Sequence, residues 1–226
     1  MAGFVKKINC LNKGTDVKQK NMEWKYGKDN PNDFIVTLLG DTLTYSGRGE
    51  IKDSGEYKKP PWYHYRHSVK TIVLESSYSG LSDYILFHFY ENLMVINVAH
   101  NVVCFFRGGE FEENKYLIEI NVDVNNLQYS SMDGVLYNKD KSILICCPTA
   151  NQEINIPSTV KKINGAAFRG CYELFSVVIP NSVKEIGYST FHCCHSLSNI
   201  IIPNSVEKIG DNAFHGCDNL SSIVRF

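Results

Sequence analysis

LFSVVIPNSVKEIGYSTFHCCHS, residues 174–196, repeats the stretch before it and the stretch after it at a fixed offset of 23 residues. Ile156-Pro157 becomes Ile179-Pro180 and then Ile202-Pro203. The columns continue through Val160, Val183 and Val206, and through Ile163, Ile186 and Ile209. Phe168, Phe191 and Phe214, then Cys171, Cys194 and Cys217, then Leu174, Leu197 and Leu220 complete the register. A repeat of about 20 to 29 residues with a Leu-x-x-(Ile/Val)-x-Ile core is one coil that cannot bury its apolar face alone and must stack on its neighbours.

Within one coil, Leu174, Val177 and Ile179 face one way while Ser176 and Val178 face the other, as a pleated strand requires. Pro180 has no N–H for a ladder and ends the strand. Gly187, Gly210 and Asn164 share a column, which predicts a left-handed turn there, followed by a short helical or 3-10 turn that drops each Phe into the core. A looser version with period 24 extends upstream from Val69-x-x-Ile72-x-Leu74 through Leu93-x-x-Ile96-x-Val98 to Leu117-x-x-Ile120-x-Val122. The expected fold is a leucine-rich repeat solenoid with one short parallel strand per coil, centred on Ile72, Ile96, Ile120, Ile154, Val177, Ile200 and Ile223. At a spacing of about 4.8 Å these strands predict one parallel sheet roughly 30 Å long.

Val122 and Ile156 stand 34 residues apart, eleven more than one period, and the excess falls in GVLYNKDKSILICC. Two apolar runs flanking Asn138-Lys139-Asp140-Lys141 read as a β-hairpin inserted at about residues 126–153 of the solenoid, which spans 67–226. Residues 1–66 do not repeat. DFIVTLLGDTLTYSGRGEI, broken at Gly40-Asp41 and Gly47-Arg48-Gly49, predicts antiparallel strands forming a β-rich cap over the open end of the core. At the other end Phe226 stands where a proline is due, so the last coil is either open or cut.

IPNSVKEIGYSTFHCCHSLSNIIIPNSVEKIGDNAFHGCDNL resembles the BspA-like leucine-rich repeat family of bacterial and protist surface proteins. GDTLTYSGRGEIKD with PPWYHYRHSVKTIVLE resembles that family's N-terminal cap and first strand, and VDVNNLQYSSMDGVLYNKDKSILICCP its recurrent hairpin. The likeness covers roughly residues 35 to 226 and departs from the pattern around Leu93 and Leu117, which lack the Pro and the Ser-Val after it. It implies a non-catalytic, cell-surface or secreted module for adhesion to host-cell or matrix proteins or to other microbes.

Composition fits a folded binding protein: 43% of residues are hydrophobic and 12% aromatic. A formal net charge of −1 argues against a nucleic-acid footprint, and the locally basic start (Lys6, Lys7, Lys13, Lys18, Lys20, Lys25, Lys28) reads as a solvated segment. No run of about 18 apolar residues predicts a membrane span. Lys6-Lys7 directly after Met1-Ala-Gly-Phe-Val leaves no apolar core for a secretory signal, which favours an intracellular interaction scaffold as the alternative.

Eight cysteines invite a metal or redox reading. Cys171, Cys194 and Cys217 share a column and predict stacked small hydrophobes in a core ladder with Phe168, Phe191 and Phe214. In His192-Cys193-Cys194-His195 the adjacent Cys residues on a turn point to different sides and the spacing matches no standard zinc pattern, so no metal or cofactor is expected. Cys146-Cys147 ends a strand, where one thiol faces in and the other out to solvent as a reactive site. Neither a G-x-S-x-G elbow nor a P-loop nor H-E-x-x-H occurs, and His64, His67, His88 and His100 are scattered. No enzyme is expected, and function reduces to a binding face. The outward strand residues Val73, Asn97, Asn121, Asn155, Val178, Ile201 and Val224 form its central column, with Thr71, Val95, Glu119, Glu153, Ser176, Asn199 and Ser222 beside it.

Overall fold

The computed structural model describes residues 21–48, 59–76, 86–87, 90–103, 106 and 108–225. Lys6, Lys7, Lys13, Lys18, Lys20, Gly49, His88 and Phe226, singled out above, lie outside these residues. The first sheet contains β1 (Met22–Lys25), β2 (Phe34–Leu39), β3 (Thr42–Gly47), β4 (Thr71–Leu74), β5 (Val95–Val98) and β6 (Glu119–Val122) in that spatial order. Its first three strands are antiparallel and the rest parallel, with Thr42 to Tyr45 of β3 in register with Thr71 to Leu74 of β4. The non-repeating segment is thus joined to the coils by continuous hydrogen bonding. Phe34, Val36 and Leu38 alternate inward along β2, and Trp62, on a 3-10 turn at Pro61–Tyr65, packs against Trp24, Tyr26 and Tyr45.

The strands predicted around Ile72, Ile96 and Ile120 are β4 to β6, but the seven expected strands do not form one sheet. The chain after β6 folds into β7 (Tyr129–Met132), β8 (Val135–Asn138) and β9 (Ile143–Cys146), an antiparallel meander. The Ile120 N–H donates to the Gly134 carbonyl at 2.9 Å and the Val122 N–H to Ser131 Oγ at 3.0 Å, so the meander occupies the edge of β6. A parallel neighbour would need the same donors. The next strands, β10 (Glu153–Asn155), β12 (Ser176–Val178), β14 (Asn199–Ile202) and β16 (Ser222–Arg225), form a separate four-stranded parallel sheet.

Each of the last coils also carries a second, two-residue strand beyond the one expected per coil. β11 (Lys162–Ile163), β13 (Glu185–Ile186) and β15 (Lys208–Ile209) continue the sheet of the meander, starting from β9. Lys162 and Lys208 flank Glu185 across this ladder at 3.1 and 3.8 Å, an alternation of sign that suits adjacent parallel strands. Turns closed by i to i+3 bonds, such as the Cys194 N–H to Phe191 carbonyl at 3.1 Å, then deliver each Phe inward.

The meander divides the interior. Leu136, Ile145 and Cys146 belong to the core built on the first sheet, whereas Val135, Tyr137, Leu144 and Cys147 belong to the core of the last coils. A strand buried on both faces reads as a continuous apolar run, which is the character of VLY and ILICC. The expected outward thiol at Cys146-Cys147 is therefore absent: both side chains are buried, one in each core.

The glycine column also needs correction. Gly187 and Gly210 do not adopt positive φ; the left-handed residues are Ala166, Ser189 and Asn212, two positions after Asn164, Gly187 and Gly210. Glycine is required for space instead, because a Cβ at Gly187 would lie 2.4 Å from the Gly165 nitrogen and one at Gly210 2.4 Å from the Tyr188 nitrogen. Phe168, Phe191 and Phe214 stack, with centroids 4.9 and 5.4 Å apart and planes within 16° and 3°. Cys194 and Cys217 lie beneath them, their thiols donating to the carbonyls of Phe168 and Phe191 at 3.1 and 3.0 Å. The core opens at the last coil, where Phe214, Cys217 and Leu220 are half-buried and Ile223 is exposed.

Candidate partner-binding face

Strand alternation turns every second residue of β4 to β6 and of β10, β12, β14 and β16 away from the core. Val73, Asn97 and Asn121 are in register on the first sheet, and Asn155, Val178, Ile201 and Val224 on the second. The central column is thus two segments, separated where the meander takes the edge of β6. Asn121 Nδ2 donates to Asn97 Oδ1 at 3.4 Å and to Glu119 Oε2 at 3.1 Å, but Asn155 pairs in register with Val178 rather than with Asn121. The expected run of three amides is a pair.

The second segment is apolar and open. Val178 is 57% exposed and Ile201 56%, side by side on paired strands, while Val224 beyond them is half-buried. Glu153 and Asn199 are exposed in the flanking column, Ser176 is half-buried, and Asn199 Oδ1 accepts from Ser222 Oγ at 2.7 Å. Glu119 is exposed and Thr71 and Val95 are half-buried on the first sheet. This arrangement presents an apolar pair with polar groups on either side.

Titratable side chains gather elsewhere on the coils. Among the described residues, one group of three potential metal ligands is Glu112, His192 and Cys193, whose ligating atoms all lie within 4.8 Å of one another. Glu112 Oε2 accepts from Arg169 Nε at 2.7 Å, and His192 Nε2 lies 3.2 Å from Nδ1 of His215, whose ring stacks on it. Burial, reinforced by the Arg169 charge, pushes the His192 imidazole below its ordinary pKa, and burial with the Glu112 charge pushes the Cys193 thiol up. Cys194 turns into the core, and His195 stacks on Tyr172 and pairs with Asp218 at 2.8 Å. The sequence motif is therefore split, and its first half meets a glutamate 80 residues upstream that no local spacing points to.

Residues 145–225 match the profile of the BspA type leucine rich repeat region, in six copies. A leucine-rich repeat protein from Eubacterium ventriosum is 19% identical, with 92% of this chain and 73% of that one covered and a TM-score of 0.52. A pneumococcal vaccine antigen overlays at 14% identity, covering 86% of this chain and 80% of that one, with a TM-score of 0.47. A leucine rich cell surface protein from Faecalibacterium prausnitzii does so at 19% identity, 72% and 61% coverage, and a TM-score of 0.41. No curated protein sequence matches the chain. Residues 145–225 thus match the BspA type leucine rich repeat region, and the chain as a whole shares the leucine-rich repeat solenoid fold.

Proposed function

We propose that the chain is a non-catalytic protein-binding module that engages its partner through the outward face of β12 and β14, as a surface adhesion or host-interaction protein would. The observation that carries this reading is the exposure of Val178 and Ile201 by more than half each, in register on neighbouring strands. Strand propensity favours β-branched residues even where they face water. An adjacent pair flanked by Asn155, Ser176 and Asn199 is also the arrangement of a small interface, in which apolar burial supplies affinity and a polar rim supplies orientation. The family likeness and the solenoid's repeated outward columns favour the same use.

The test replaces both side chains with lysine. V178K/I201K keeps the core intact, since both side chains point outward, and places two charges where a partner would exclude water. Binding to host cells or immobilised matrix proteins should weaken by about 2 to 4 kcal/mol, with circular dichroism unchanged. A folded double variant that binds as the wild type does would remove this face from consideration.

A further inference from the structure

We propose that Glu112, His192 and Cys193 form a binding site for a divalent cation of the zinc type, with a carboxylate, an imidazole and a thiolate as ligands. Their ligating atoms already lie within 4.8 Å of one another, and small side-chain rotations bring such a set to the closer spacing of a tetrahedral ion. Two further observations, independent of that proximity, point to a ligand.

The first is the backbone at Cys193. Gly170, Cys193 and Gly216 occupy one column, and all three have left-handed φ, at 74°, 60° and 73°. Glycine takes this conformation freely and cysteine does not, so the middle coil holds a strained residue where its neighbours hold the unstrained one. Gly170 in turn keeps the space beside Glu112 open, since a Cβ on it would lie 2.9 Å from Cα and from Cγ of Glu112. On the other side Gly216 abuts the Cys193 sulfur, which a Cβ would approach to 3.2 Å. The cysteine thus sits between two glycines, with its sulfur next to the carboxylate.

The second is the hydrogen bonding of the imidazole. His192 Nδ1 is buried and has no hydrogen-bond partner, whereas Nε2 faces His215 Nδ1 at 3.2 Å. In the tautomer whose Nε2–H donates to His215, Nδ1 carries a lone pair that no donor fills. A metal-bound histidine has this pattern, with its second nitrogen held by an outer partner. Arg169 holds the Glu112 carboxylate in the same way, through Oε2 at 2.7 Å. Thiolate, imidazole and carboxylate suit zinc, and suit cobalt as its spectroscopic substitute, better than calcium or magnesium, which take oxygen ligands. Binding releases the thiol proton of Cys193 to solvent. The ion would join the segment before β6 to the coil between β13 and β14, linking the two halves of the solenoid that the meander separates.

The purified full chain, stripped of metal, is titrated with Zn²⁺ alone and separately with Co²⁺ alone. Wild type should bind one Zn²⁺ per chain, melt at a higher temperature with it, and show the thiolate-to-metal absorption of Co²⁺. C193G should lose the absorption and the zinc-dependent shift, yet melt without metal at or above the wild-type temperature, because it restores the glycine of the neighbouring coils. H192A and E112Q should each lose stoichiometric binding, H215A should weaken it about tenfold, and H195A should leave it unchanged. Absence of stoichiometric zinc in wild type, or wild-type zinc binding by C193G, overturns the proposal.

Discussion

Replacing Phe191 with alanine probes the stacked core at its centre. The ring is fully buried, lies between Phe168 at 4.9 Å and Phe214 at 5.4 Å, and has the Cys217 thiol donating to its carbonyl. Burying an aromatic ring removes about 150 Å² or more from water, which at about 25 cal/mol per Å² is roughly 4 kcal/mol. That figure lies within the range of about 3 to 5 kcal/mol for Phe to Ala in a core that cannot collapse onto the void. Collapse is hindered here because the coils above and below are fixed by backbone bonds, the Phe191 N–H to the Ala213 carbonyl at 2.7 Å and the Phe168 N–H to the Thr190 carbonyl at 2.9 Å. Phe214 supplies the internal control. It is half-buried at the open last coil, so F214A should cost about half as much or less. Urea unfolding followed by circular dichroism measures both, and a loss of cooperativity in F191A would show the stack dividing at the damaged coil. A cost below about 1 kcal/mol for F191A, or equal costs for the two variants, would refute the stacking register.

Two further outcomes follow from the thiols and the buried phenols. In native protein Cys171 and Cys194 should resist alkylation while Cys217 reacts: the first two are fully buried, whereas Cys217 is half-buried in the last coil. Mass spectrometry after brief labelling checks this, and equal protection of all three would contradict the open last coil. Burial raises the Tyr90 phenol to about 12 from an ordinary 10.0. The folded state therefore holds its proton where the unfolded chain has lost it, so this contribution is complete below about pH 10 and disappears as pH climbs to about 12. Loss should amount to about 2 to 3 kcal/mol for this phenol, and denaturant melts at pH 9 and about 11.5 should separate accordingly. Y90F should flatten that slope, and an unchanged slope would count against the burial of Tyr90.

The repeat register was legible because one residue type recurs at one place in each coil and all members of a column face the same environment. Phe168 and Phe191 behave alike for that reason, and Phe214 departs from them in being half-buried. The meander was harder to place, since burial of β8 and β9 on both faces erases the alternation that tells inside from outside. Its apolar character was visible, but its position as a wall between two cores, closing the edge of β6, depends on pairing between distant segments. The second ladder is not legible in the sequence because two residues, as in Lys162–Ile163, leave no periodic signal. Gly187 and Gly210 looked like conformational residues and are spatial ones: nothing in a sequence states how near the adjacent coil's backbone passes. Val178 and Ile201 followed from alternation alone. The meeting of Glu112 with Cys193 follows from stacking, which brings an upstream loop beside a downstream coil.

The most direct test of the binding face is the affinity of one partner, once captured, for three folded proteins: wild type, V178K/I201K, and K208E. Lys208 lies on β15, in the sheet that continues from the meander, and its side chain is largely exposed. Isothermal titration should show wild-type affinity for K208E and a loss of about 2 to 4 kcal/mol for V178K/I201K. Equal binding by V178K/I201K and wild type, with weakened binding by K208E, would contradict the account and move the interface to the β11–β13–β15 side of the coil.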